Sequence, residues 1–419
     1  MKILHVTQGY FPAIGGTESL IQHLSEELVR QFGDEVTVFT TNCFNGEGFF
    51  SPQLPRLSTG WEEINGVKVR RFPVYSRISQ TFRHHPQSIA YRLNLPFNEY
   101  LRAIGGGPII PGLRRTIREF PADIIAASSF PLLHMFAAVR SARETGRPCV
   151  LHGGLHPQDK WAFQRPMIYR AIEQSTCYVS NTEFEADYVI QRGASPERVF
   201  VVGVGLDPEP FEQITNAQAK NRLGLEDKPV VGFIGQLGGH KGVDTLLRAM
   251  PLVWQIFPEV NLLIAGARTI FAEQLEKHIR QWPSSYQQKL KLHYNFSNEE
   301  KPWLFAAVDV FTYPSGYESF GIAFLEAWAA GKPVIGCKRG AIPWVVDAGR
   351  DGLLVDYQNE QMLAEAIITL LKNPQWAESL GKAGHQKVLS RYTWPKIARS
   401  FREVYLKAVG REINDHCAC

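Results

Sequence analysis

A chain of 419 residues exceeds the ~100–200 residues of one ordinary core, so two globular domains are expected. Hydrophobic residues at 44% and charged residues at 21% exclude a disordered chain, and a net charge of +4 is too mild to imply nucleic-acid binding without a clustered basic face. The opening apolar run, Ile3 to Val6, is too short for a secretory segment, and no stretch of ~18 or more apolar residues occurs, so a cytoplasmic chain, free or bound to a membrane surface, is expected.

The first elements read as strand, helix, strand: KILHVT (2–7), an amphipathic run over 17–31, then EVTVFTT (35–41). That rhythm belongs to a parallel sheet with crossover helices. It continues through VRRFPVY (69–75), a helical 111–120, ADIIAAS (122–128), PCVLHGG (148–154), STCYVSN (175–181) and a closing strand over 198–207. Residues 206–228 are polar, interrupted by Pro208 and Pro210 and without strand signals, so they mark a linker. The rhythm restarts at PVVGFIGQ (229–236) and runs through VNLLIAG (260–266), LKLHYNF (290–296), VDVFTYPS (308–315), a helix from Ser319 to Ala330, KPVIGC (332–337) and GLLVDY (352–357). Helical patterns close the chain, the last carrying Ile397, Phe401 and Tyr405 at intervals of four. The fold class is therefore α/β with two Rossmann-like domains, and ligands of such sheets bind at the strand-to-helix loops. Cysteines at 43, 149, 177, 337, 417 and 419 show no metal-ligand spacing and are expected to be reduced and structural.

Chemistry concentrates in YPSGYESFGIAFLEAWAAGKPVIGC, where Glu318 and Glu326 lie eight positions apart across a helix start. Eight helical positions rise about 12 Å. Carboxylates so spaced suit hydroxyls at separate parts of an extended ligand. The amides of Phe320, Gly321 and Ile322, between them, suit a phosphate or sugar oxygen. By spacing alone, an acid near a helix start followed by a solvated one accounts for the pattern equally well.

The segment nonetheless resembles the donor-site signature of retaining glycosyltransferases of family four, which have the GT-B fold. The likeness extends over FIGQLGGHKGVDTLL, VVGVGLDPEPF, the early GGTE turn and the closing WPKIARSFREVY helix, so it spans nearly the whole chain. It implies a first domain over 1–205 on the acceptor side, a nucleotide-sugar domain over 206–395, and a helix over 396–419 that returns to the first domain. It implies that Glu326 holds ribose hydroxyls, that Glu318 and the amides after it meet the donor sugar and its phosphate, and that Lys241 pairs with the diphosphate. A compact ammonium suits a phosphate oxygen. Gly235 and Gln236 would line the same donor site. His152, after strand PCVL, matches a family histidine near the donor sugar, with a core histidine as the plain alternative and His156 as a competitor. Gly15 and Gly16 would touch the diphosphate or the acceptor, unless they form only a tight turn.

Two positions depart from the family pattern. Gln236 stands where most relatives carry an arginine, so one cation for the leaving group is missing, with His240 and Arg339 as nearby substitutes. Trp344 occupies a position that is often acidic. The implied reaction keeps the anomeric configuration, needs no metal or other cofactor, and uses a UDP- or GDP-sugar with a sugar, lipid-linked or polysaccharide acceptor; no D-x-D motif occurs. The rival readings are a nucleotide-sugar epimerase or hydrolase of the same fold and a non-catalytic nucleotide-sugar binding protein.

Residues 68–118 carry ten Lys and Arg residues, Arg83 and Arg92 among them, against Glu99 alone within those limits and Glu119 at the edge. Interleaved Phe82, Tyr91, Leu93, Leu95, Phe97, Tyr100 and Leu101 make an anionic membrane surface a candidate partner, with a solvated helical insertion as the alternative.

Overall fold

The computed structural model describes residues 1–13, 15–77, 85–225 and 227–410. The expected Phe82 and Arg83, and the terminal Cys417 and Cys419, lie outside the described residues. Two compact units form the chain, one from Met1–Gly205 with the segment starting at Trp394, the other from Leu206–Thr393.

In the first unit, β1 (Lys2–Val6), β2 (Glu35–Thr41), β3 (Gly60–Ile64), β4 (Val67–Phe72), β5 (Ile124–Ser128), β6 (Cys149–His152), β7 (Cys177–Ser180) and β8 (Val199–Val201) form one sheet in the order β3-β4-β2-β1-β5-β6-β7-β8. All pairings are parallel except β3–β4. Parallel strands are covered on both faces, which is why residues 3–6 of β1 and 124–127 of β5 read as continuous buried runs rather than alternating ones, His5 alone among them being polar. The final strand is shorter than the sequence suggests, because Gly203 adopts φ 93° and turns the chain out of the sheet.

Helix Gly16–Phe32 buries Leu20, Ile21, Leu24 and Leu28 on one stripe and stops at Gly33, whose left-handed backbone (φ 62°) lets its N–H reach the last carbonyls. Helix Trp394–Ala408 packs beside it. It buries Ile397, Phe401, Val404 and Tyr405, and each such side chain contributes roughly 1.5–3 kcal/mol before entropy is subtracted. Arg402 donates through Nε to Asp34 Oδ2 at 2.8 Å, and the Met1 ammonium holds Oδ1 of the same buried carboxylate at 2.9 Å. The Trp394 ring stacks on His23 at 4.7 Å and closes against Gly205, where a Cβ would fall 2.2 Å from Trp394 Cε3.

The second unit holds β9 (Val230–Ile234), β10 (Asn261–Gly266), β11 (Leu290–Tyr294), β12 (Val310–Thr312), β13 (Val334–Cys337) and β14 (Gly352–Val355), all parallel, in the order β11-β10-β9-β12-β13-β14. β9 and β12 are thus neighbours although 75 residues of chain separate Ile234 from Val310. The expected linker holds two short helices, Glu209–Glu212 and Asn216–Arg222, the second opened by a reciprocal Thr215–Gln218 capping box.

Helix Ile322–Ala329 starts three residues later than the sequence suggests, because Gly321 (φ 98°) caps it from a left-handed backbone. Glu318 is therefore in the preceding loop, and the full 12 Å helical rise to Glu326 does not apply. The helix is clamped from behind by helix Pro374–Arg391, which approaches through Gly381 and Gly384. A Cβ at Gly384 would lie 1.9 Å from Trp328 Cδ1, and Trp328 Nε1 donates to the Asp351 carbonyl at 2.8 Å. The four described cysteines, Cys43, Cys149, Cys177 and Cys337, are buried free thiols. No described helix is long and apolar enough to cross a membrane.

Candidate active site

Two loops at the carboxyl ends of β9 and β12 are tied together. After β9 the chain passes Gly235 and the exposed Gln236, turns through Gly239–Lys241 and enters helix Val243–Ile256 at Gly242. Gly242 holds φ 76°, and any Cβ there would sit 2.1 Å from the Pro314 carbonyl oxygen. Gly235 faces Tyr313 in the same way, with a Cβ position 2.8 Å from its Cε2. Glycine at these positions lets the two loops touch. The Gly316 amide donates to the His240 carbonyl at 2.6 Å, and the His240 ring stacks on Tyr317 at 4.5 Å.

That closeness brings Lys241 onto Glu318, with Nζ donating to Oε1 at 2.7 Å and both side chains buried. Without a ligand each charge satisfies the other, the condition under which two charges survive burial. Eight positions on, inside helix Ile322–Ala329, Glu326 accepts from Lys301 Nζ through Oε1 at 2.9 Å. Lys301 opens helix Lys301–Ala307 and was not singled out by sequence. Neither was Tyr313, which lies stacked on Phe233 at 5.2 Å with Lys241 Nζ 5.7 Å from its ring centre. Burial first, then the carboxylates of Glu318 and Glu326, hold the Tyr313 phenol well above its usual range, so one hydroxyl senses both acids and stays a donor.

Phe320 is buried with its ring edge-on to Tyr392 at 5.3 Å, so it anchors the loop while the amides of Gly321 and Ile322 begin the helix. Of the two substitutes for the arginine missing at Gln236, His240 lies in the loop pair itself. Arg339 stacks on Tyr357 at 4.5 Å, and that ring in turn closes on Gly316. Trp344 is exposed on the short helix Ile342–Val345.

The first unit arranges its expected residues differently. Gly15 and Gly16 are exposed at the start of helix Gly16–Phe32, and the Glu18 side chain folds back over them. A Cβ on Gly15 would fall 2.2 Å from Glu18 Oε2, while Gln8 donates to Oε1 at 2.9 Å. Burial raises the Glu18 carboxyl above its ordinary value. His152 is 1% exposed and lies inside the unit. Its Nε2 meets the Tyr405 hydroxyl at 2.7 Å, which also meets His5 Nε2 at 3.1 Å, and His5 Nδ1 meets Ser25 Oγ at 2.7 Å. Phe401 closes over the His152 ring at 4.8 Å. The ring is thus enclosed on its Nε2 side, while Nδ1 has no hydrogen-bond partner among the described residues.

Burial, reinforced by His5, holds His152 well below the usual histidine range; burial lowers His5 to about 3 and His134 to about 4. The folded chain keeps these rings neutral while the unfolded chain protonates them below about 6.5. Stability is therefore complete above pH 6.5 and falls as the pH drops, by about 1.4 kcal/mol per pH unit for each histidine until its folded value is reached. Melting temperatures taken from pH 7 to pH 4.5 are expected to decline, and His152→Phe is expected to flatten the slope. An unchanged slope would show that His152 titrates normally in the fold.

Known proteins resemble both units. Residues 215–387 match the family model of glycosyl transferases group 1, and residues 15–205 match the glycosyl transferase 4-like domain. D-inositol 3-phosphate glycosyltransferase of Segniliparus rotundus is 31% identical over 252 residues, 57% of this chain and 54% of that protein. Alpha-maltose-1-phosphate synthase of Mycolicibacterium smegmatis is 30% identical over 57% of this chain and 64% of its own. The chain thus spans about half to two thirds of the length of these curated relatives, whereas an uncharacterized glycosyltransferase of Methanocaldococcus jannaschii aligns over 97% of this chain and 98% of its own at 27% identity. Among solved structures, sucrose-phosphate synthase from Thermosynechococcus elongatus superposes with a TM-score of 0.75 at 21% identity, covering 98% of this chain and all of that one (100%). An Anabaena protein solved with UDP-glucose gives 0.71 at 19% identity, covering 97% and 100%. The two family matches leave out only residues 1–14, 206–214 and 388–419, and the chain belongs to the glycosyl transferases group 1 family, with a glycosyl transferase 4-like domain ahead of it and the GT-B fold.

Proposed function

We propose that the chain is a retaining, metal-independent glycosyltransferase that moves a sugar from a UDP- or GDP-sugar to an acceptor hydroxyl, in polysaccharide or glycolipid synthesis. The observation that carries this reading is the buried Lys241–Glu318 pair at the carboxyl ends of β9 and β12, with Glu326 on the helix that follows. When the donor binds, its diphosphate replaces Glu318 as the partner of Lys241, which releases the Glu318 carboxylate to accept from sugar hydroxyls. Glu326 accepts from the ribose hydroxyls; a carboxylate has about four acceptor sites, so Lys301 on Oε1 does not exhaust it.

In the transfer itself the bond from the anomeric carbon to the phosphate oxygen breaks and a bond to the acceptor oxygen forms on the same face. The acceptor proton passes to the departing phosphate oxygen. The protein's share is positioning and charge: Lys241 stabilises the diphosphate as negative charge accumulates, and the loop amides and Glu318 fix the sugar. Support comes from the Anabaena neighbours, solved with UDP and with UDP-glucose, and from relatives whose names include phosphorylated polyols and sugars. Phosphorylated polyols and sugars are therefore the first class of acceptor to assay.

The reading is tested by following nucleoside diphosphate release and the product's anomeric configuration by NMR. Release stimulated by an acceptor, with the donor's configuration kept, is the expected result. Release into water alone would indicate a hydrolase, an altered sugar nucleotide without transfer an epimerase, and binding without any release a binding protein. Inversion would remove the retaining mechanism.

A further inference from the structure

The helices His85–Arg92 and Asn98–Gly106 carry a surface that the transfer reaction does not use. Ile89, Leu93, Leu95, Phe97 and Tyr100 are all exposed along them and the turn between, Leu93 at 66% and Phe97 at 76%. Isolated apolar side chains on a surface need no explanation, but five within a dozen residues form a patch that water disfavours. The turn presents rather than hides them. Phe97 takes a left-handed backbone (φ 60°), an uncommon state for a bulky residue, and its ring lies outside the unit against Tyr100 at 6.2 Å.

Beside the patch opens a cavity of about 710 Å³ whose lining includes Tyr91, Arg92, Phe97, Asn98 and Arg102. Arg102 is 3% exposed; its Nη1 donates to the Trp161 carbonyl at 2.7 Å, and its Nε has no partner among the described residues. The centres of the Tyr91 and Trp161 rings lie 4.7 and 5.5 Å from the guanidinium carbon, close enough for cation–π attraction. Arg165, also buried, has no partner at Nη1 among the described residues. Of the nearby acids, Glu99, which also lines the cavity, is already occupied by Arg170 at 2.6 Å and the Met167 amide at 2.7 Å, and Asp159 accepts from the Ala162 amide at 3.0 Å. Buried guanidinium donors without acceptors are costly, so the cluster is short of an anion.

We propose that this helical pair docks on an anionic lipid surface, with Leu93, Leu95 and Phe97 entering the acyl boundary and a headgroup phosphate pairing with Arg92 and Arg102. An apolar rim around a cationic cavity matches the two layers of such a surface, acyl chain outside and phosphate within reach. Arginine is suited to phosphate because its planar fork donates two parallel bonds. The inference stands apart from the transfer chemistry, since it is read in binding rather than in turnover.

Co-sedimentation of the full chain with phosphatidylcholine vesicles, with and without phosphatidylglycerol, tests it. Binding to the anionic vesicles is expected to be about tenfold tighter or more and to weaken as salt is raised. Leu93→Ser/Phe97→Ser, and separately Arg92→Glu, are each expected to lower it by about tenfold with an unchanged melting temperature. Both sets of side chains are exposed, so neither variant depends on the buried Arg102 tolerating change. Equal binding to both vesicle types would overturn the proposal. So would inorganic phosphate raising the melting temperature while vesicles fail to bind, which would mark a free-anion site. A concentration-dependent dimer that Phe97→Ser dissolves would assign the patch to a second copy and overturn it as well.

Discussion

Lys241→Ala is expected to lower turnover by about 10²- to 10³-fold while leaving nucleotide binding within about tenfold, the loss typical of removing one preorganised charge partner of a transition state. The ammonium matters most when the leaving diphosphate gains charge, so kcat falls more than affinity. A second effect comes from the partner it leaves behind. Lys241 lies 2.7 Å from the buried Glu318 carboxylate, and removing one member of a buried ion pair costs about 3–5 kcal/mol because the other charge is stranded. The ligand-free melting temperature of the single variant is therefore expected to drop. Lys241→Ala/Glu318→Gln removes the stranded charge, and it is expected to regain most of the melting temperature and none of the rate. Steady-state kinetics beside thermal melts separate the two effects. A double variant that regained turnover would show that Lys241 acts on stability alone.

The second large effect is expected at Glu326. Glu326→Ala removes the acceptor for ribose hydroxyls, and hydrogen bonds to charged groups contribute about 1.5–3 kcal/mol, so the donor Kd should weaken by about 10- to 100-fold. Turnover at saturating donor should change far less, because the ribose contact is equally present before and during transfer. Lys301 loses its partner in this variant but is itself partly exposed, so water takes over and stability changes little. Calorimetric titration with the preferred donor measures the affinity directly. A Glu326→Ala chain that bound donor normally would place the ribose elsewhere.

Much of the fold was legible because parallel strands are buried on both faces and announce themselves as largely apolar runs, as at residues 3–6, 124–127 and 230–234. The β3–β4 hairpin was missed because Trp61, Glu62 and Glu63 are exposed on an edge and show no apolar alternation. Its signal was the turn: Asn65 and Gly66 sit at φ 49° and 79°, the Asn-Gly pairing that favours a tight hairpin. Of the two helices in the expected linker, the second was likewise marked, by the Thr215–Gln218 capping pair.

The site was legible as a set of residues but not as a set of partners. Glu318 and Lys241 are 77 positions apart, and only the adjacency of β9 and β12 brings them together. Lys301 reaches Glu326 from a helix on the other side of β12, a contact that no local spacing signals. His152 illustrates the same limit. At the carboxyl end of β6 its sequence position signals no partner, whereas Tyr405, 253 positions later, supplies a hydroxyl to its Nε2. Burial of that kind depends on which distant element covers a strand end, and motif spacing carries no information about it.

The most direct test of the donor site is a thermal-shift titration of the purified chain with UDP-, GDP-, ADP- and TDP-sugars in EDTA, run in parallel on Glu326→Ala. One nucleotide sugar, a UDP- or GDP-sugar, is expected to raise the melting temperature selectively, to do so without metal, and to lose most of its effect in the variant. If no donor stabilised the chain, or if one stabilised both proteins equally, the Lys241, Glu318 and Glu326 cluster would not be where the nucleotide sugar binds.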